Sequence, residues 1–126
     1  MSRDPLLERH HQLIVAAYLD FRGLLWCHVP NEGNRARPGA VAKYGYKRAQ
    51  AIGQAAAKRQ GLKAGVADNM IFDRPPRHPE SPGAAIELKR ERGGKVTVAQ
   101  SAWLDELKRR GWQTYVAHGS DAATAW

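Results

Sequence analysis

Cysteine is nearly absent, and the single one, Cys27, excludes an internal disulfide framework and any cysteine-based zinc cluster. In a bulky, strand-like run it is expected to be a small core residue. No apolar stretch approaches the roughly 18 to 20 residues of a membrane span. The opening segment "MSRDPLLERHHQ" has neither the apolar core nor the small-residue cleavage site of a secretory signal, so the chain is expected in the cytoplasm with no membrane partner. Repeats, low-complexity tracts and linkers are missing too. The 126 residues are therefore expected to form one domain, residues 1–126, large enough for a core and for three layers. Acid is scarce as well: 12 aspartates and glutamates stand against 20 lysines and arginines, a formal net charge of +8. Such an excess either makes a soluble basic surface or favours a polyanion, because each neutralised phosphate releases condensed counterions. Nucleic acid is the first candidate.

What is present reads as alternating helices and strands. Asp4 and Pro5 give a cap and first-turn signal, and Leu6, Leu13, Ile14, Ala17 and Tyr18 recur at helical spacing to about Asp20. The other side of this helix carries Glu8, Gln12, Val15 and Leu19. Glu8 thus begins a face that turns apolar: it points inward toward a site, or it is a solvated first-turn acid favoured by the helix dipole. "LLWCHVP" (24–30) predicts a first strand, followed by the loop "NEGNRARPG". Residues 39–60, free of proline and stopped by Gly61, predict one long second helix. Ala42, Gly45, Ala49, Ile52 and Ala56 form a small-residue stripe on it suited to close packing. Lys43, Lys47, Gln50, Gln54 and Lys58 form a polar stripe, either a solvated face or one that meets phosphates.

"NMIF" (69–72) and "AAIELK" (84–89) predict two further strands, separated by a loop too rich in proline for regular structure. Thr97 to Gln100 form a capping box ahead of "SAWLDELKRR", which Gly111 stops before a last strand "QTYVAH". Ser120 or Asp121 is expected to cap a final helical turn. This order predicts an α/β fold with a central sheet covered on both sides.

The third strand carries the chemistry. At a two-residue period Glu87 and Lys89 share one face, and Ile86 and Leu88 the other. With the second and third strands as neighbours, Asp68 lies beside Glu87. Two close carboxylates call for a cation, and one or two carboxylates plus retained waters is what Mg²⁺ prefers. A metal polarises phosphate and activates water, while the Lys89 ammonium orients that water or stabilises transition-state charge. These are the parts for hydrolysing a phosphodiester. Arg90 and the rest of "RERGGK" either meet phosphates or close a turn.

Taken together, "LLERHHQ", "HVPNEG", "GLKAGVADNMIF", "AAIELKRERGG" and "TVAQSAWLDELKRRGW" resemble the virus-type replication-repair nuclease (VRR-NUC) family of the PD-(D/E)xK superfamily, in family order over nearly the whole chain. The resemblance implies a restriction-endonuclease-like PD-(D/E)xK core, a mixed central sheet flanked by helices. It implies Asp68, Glu87 and Lys89 as the central catalytic set, with Gln100 at the family's following glutamine. It further implies Glu8 as an additional acid and the main-chain carbonyl of Leu88 as a further metal ligand. Where the family usually has proline before its aspartate this chain has Ala67, a change in backbone stiffness and not in ligand chemistry. Asn31 and Glu32 lie in a substrate-side loop or a simple turn, and His28 faces the site or is structural. The activity implied is Mg²⁺-dependent DNA cleavage, with Mn²⁺ also supporting it, in a bacterial or phage-infected cell. Branched DNA, above all a four-way junction, cut by a homodimer is the leading substrate. The alternatives are a flap, end-processing or restriction-type nuclease, or a noncatalytic nucleic-acid-binding module.

Overall fold

The computed structural model describes residues 8–30, 38–61 and 63–125. In chain order they form α1 (Glu8–Phe21), β1 (Trp26–His28), α2 (Pro38–Tyr44), α3 (Tyr46–Arg59), β2 (Asn69–Ile71), β3 (Ala84–Lys89), α4 (Val98–Arg109), β4 (Gln113–His118) and α5 (Ser120–Ala123). The expected helix start at Asp4, Pro5 and Leu6, and Asn31 and Glu32 of the first loop, lie outside the described residues. Two compact units emerge, one within Met1–Val29 and Gly65–Trp126 and the other within Pro30–Ala64.

In the larger unit four strands make a mixed sheet in the order β1-β2-β3-β4. The pairs β1/β2 and β2/β3 are antiparallel, and β3/β4 is parallel. Parallel neighbours need a crossover connection, which α4 supplies. All six residues of β3 are buried. Its alternating side chains explain why: Ala84, Ile86 and Leu88 pack with Val15 and Leu19 of α1, Ile71, Ala117, and Ala123 of α5. Ala85 turns the other way, into a cluster with Ala67 and with Leu104 and Leu107 of α4, edged by Met70, Trp103 and Trp112. Glu87 and Lys89 therefore share the α4 face of the sheet, past the end of its apolar cluster.

Two helices depart from expectation. In α1 the buried residues are His11, Val15 and Leu19. Leu13 and Ile14, which marked the helical spacing, are 69% and 46% exposed. The stripe that meets the sheet steps by four residues through Val15 and Leu19 of the side that turns apolar, and begins with a histidine that a hydrophobicity pattern does not include. His11 is accommodated because its Nδ1 accepts the backbone N–H of Ser120 at 2.9 Å. The expected long helix over 39–60 is two helices, α2 and α3, divided at Gly45, whose φ of 83° lies in the left-handed region open to glycine. Of the small-residue stripe only Ala49 is buried. Two smaller corrections concern the ends of the sheet. Cys27 is exposed because β1 is the three-residue edge strand of the sheet. The N-cap of α5 is Gly119, not Ser120 or Asp121.

Candidate active site

Asp68, the residue before β2, is held from several directions. Its carbonyl accepts the N–H of Val29 at 2.7 Å and lies 2.8 Å from His28 Nδ1, so the end of β1 fixes its backbone. Its N–H donates to Glu87 Oε2 at 3.3 Å, and its Oδ2 accepts the N–H of Leu88 at 2.8 Å. Each carboxylate thus accepts a hydrogen bond from the main chain beside the other. Antiparallel pairing of β2 with β3, Asn69 opposite Ile86, makes this exchange possible.

Helix α4 closes the site. Gln100 Oε1 accepts from Thr97 N–H at 2.8 Å and from Lys89 Nζ at 2.9 Å, while Gln100 Nε2 donates to Glu87 Oε1 at 2.7 Å. Thr97 Oγ1 accepts the N–H of Gln100 at 3.1 Å, which completes the capping box. One side chain therefore caps the helix and bridges the acid to the lysine. Lys89 Nζ also lies 3.2 Å from Glu87 Oε1, both groups being buried.

The electrostatics are those of crowded acids. Glu87 is 1% exposed. Burial first, and the charge of Asp68 second, push its carboxyl from 4.5 up to about 7, with Lys89 opposing only in part. Burial also raises the Asp68 carboxyl, against the opposing pull of the Leu88 N–H. Two neighbouring carboxyls that both resist ionisation form a site that a cation relieves. The Leu88 N–H points to Asp68, and in an extended strand a residue's N–H and C=O face the same neighbour, so its carbonyl is directed to the same edge. Two carboxylates and a carbonyl, with waters completing the shell, are hard oxygen donors that fit Mg²⁺ or Mn²⁺.

The structure thus brings together Asp68, Glu87, Lys89, Gln100 and the main chain of Leu88. Glu8 stands partly buried at the start of α1, and among the described residues no three acidic, histidine or cysteine side chains group around a metal position. Arg90 is exposed immediately after β3. Lys43 on α2 and Lys47 and Lys58 on α3 belong to the smaller unit and are all exposed, but the break at Gly45 divides them between two helices. Lys43 Nζ and the Arg48 guanidinium lie 5.2 and 5.3 Å from the Tyr44 ring centre, an aromatic flanked by cations that the lysine stripe did not reveal. Pattern reasoning also missed Asn69, buried on β2 and paired with Gln12. An asparagine opening a short apolar strand, just after a candidate ligand, was the available signal.

The profile of the VRR-NUC domain family matches residues 7–121. Among solved structures, a chain described as "VRR_NUC domain protein" is similar with a TM-score of 0.67 and 22% identity, over 97% of this chain and 85% of that one. No curated protein matches the chain. The mixed sheet with helices on both faces is accordingly a restriction-endonuclease-like α/β fold.

Proposed function

This chain belongs to the VRR-NUC domain family, a nuclease-type family, and we propose that it is a metal-dependent DNA endonuclease that hydrolyses phosphodiesters in structured DNA. The observation that carries this reading is the pairing of half-buried Asp68 with buried Glu87, which Gln100 joins to Lys89. Asp68, Glu87 and the Leu88 carbonyl would hold a Mg²⁺ or Mn²⁺ ion. Bound there, it supplies Lewis-acid polarisation of a phosphate oxygen and activation of water.

The chain's own residues do the rest. Lys89, kept within reach of the acids by Gln100, places a positive charge where the phosphate gains negative charge in the transition state. Gln100 also holds one oxygen of Glu87, leaving that carboxylate little freedom to rotate. Glu8 is the additional acid, one turn before Gln12. Lys43, Lys47, Lys58 and Arg90 meet the DNA backbone, and the net charge of +8 supports a polyanionic partner. A four-way junction cut by a homodimer is the substrate and assembly we favour, because two symmetric cuts require two sites in fixed relation.

The test is cleavage of labelled junctions, flaps and duplexes in Mg²⁺ or Mn²⁺, with sedimentation of the same protein. Junction cleavage by a dimer, abolished in Glu87→Ala and Lys89→Ala, is expected. Cleavage that survives either substitution sinks the site assignment. A monomer that prefers flaps or ends replaces junction resolution with an end-processing role.

A further inference from the structure

We infer that Gln12 and Asn69 are a positioning pair that fixes the register of β2 and so the direction of Asp68; the inference rests on the metal-site reading above. Asn69 is 0% exposed. Gln12 Nε2 donates to Asn69 Oδ1 at 2.8 Å, and Asn69 Nδ2 donates back to Gln12 Oε1 at 3.0 Å. The two amides satisfy each other, and this reciprocal pair ties α1 to the start of β2.

A buried asparagine is a costly choice where Ile71, two residues on, packs in the apolar cluster. An aliphatic side chain facing α1 would contribute more packing. What the amide adds is direction. β2 has only three residues, so few ladder bonds hold its register, and a one-residue slip turns every side chain to the opposite face. Adjacent residues on a strand face opposite ways. With Asn69 held against α1, Asp68 must face the α4 side, where Glu87 lies. After a slip, an apolar residue at position 69 would still be buried, whereas Asn69 would lose its partner amide at the cost of an unpaired buried polar group. The pair also fixes the turn of α1 that follows Glu8. It acts as single buried asparagines do in coiled coils, giving up stability for one register.

The test uses the full chain with two readouts: Mn²⁺ titration followed by electron paramagnetic resonance, and amide hydrogen exchange at Leu88, whose N–H is bonded to Asp68. Asp68→Asn defines the Mn²⁺ signal that belongs to the site. Gln12→Ala, a substitution compatible with a helix, is expected to weaken Mn²⁺ binding about tenfold and to speed Leu88 exchange about tenfold. The double variant Gln12→Leu/Asn69→Val separates positioning from stability. Its melting temperature is expected to match or exceed that of the wild type, while Mn²⁺ affinity and Leu88 protection stay low. Recovery of both with the melting temperature, or wild-type behaviour of Gln12→Ala, overturns the inference. If wild-type Mn²⁺ binding ignores Asp68→Asn, the metal reading fails, and Leu88 exchange still decides the register claim.

Discussion

Free of divalent metal, the protein is expected to lose stability as the pH rises from about 4.5 to above 7. An unfolded Glu87 titrates at the ordinary 4.5, whereas the folded carboxyl, buried and facing Asp68, titrates at about 7. Between these values the folded state keeps a proton that the unfolded chain has released, so stability falls with pH. The contribution is fully present below 4.5 and lost as the pH passes about 7. The interval corresponds to at most about 3 kcal/mol, or about 10 °C in melting temperature for a domain of this size. Asp68, raised by the same burial, acts in the same direction. Mg²⁺ should reverse the loss at pH 8 by about 2.7 kcal/mol at a hundred times its dissociation constant. The assay is thermal unfolding by circular dichroism in EDTA across pH 4.5 to 8.5, for wild type and Glu87→Gln. A melting temperature that stays flat or rises through this window refutes the reasoning, as does an equal fall in Glu87→Gln.

Other consequences separate the roles of neighbouring residues. Thr97→Ala should cost about 1 kcal/mol in denaturant unfolding, as a lost cap does, and leave metal affinity nearly unchanged. Gln100→Ala should lower both quantities, since its Oε1 accepts from Thr97 and Lys89 together. On α1, Leu19→Ala should destabilise by about 2 to 5 kcal/mol and Leu13→Ala by about 0.5 kcal/mol or less, because only Leu19 meets the sheet. DNA affinity should fall steeply with salt, and Lys43→Gln, Lys47→Gln and Lys58→Gln should each flatten the logarithmic salt slope by about one.

The acid-lysine strand was legible because strand periodicity and core burial agree: Ile86 and Leu88 anchor β3 from the α1 side, and Glu87 and Lys89 are left on the other. The α4 cap was legible for a similar reason, since the capping bonds between Thr97 and Gln100 are local, three residues apart. The buried face of α1 was legible in part, since Val15 and Leu19 stand on the side that turns apolar, but His11 was not read with them. The core stripe opens with His11, whose burial is met by the distant backbone and hydroxyl of Ser120. The break at Gly45 was equally hidden: glycine occurs within helices, and nothing local shows that its φ becomes positive. The Gln12–Asn69 pair joins residues 57 positions apart, so no local spacing announces it. Local chemistry was readable, and polar contacts between distant segments were not.

Anomalous diffraction from crystals soaked in Mn²⁺ is the most direct test of a metal-dependent nuclease site on β3. One ion is expected within about 2.0 to 2.6 Å of oxygens from Asp68, Glu87 and the Leu88 carbonyl, with Lys89 beside it, and no ion in Asp68→Asn. A saturating soak that leaves both carboxylates without an ion, or places it elsewhere, contradicts the assignment.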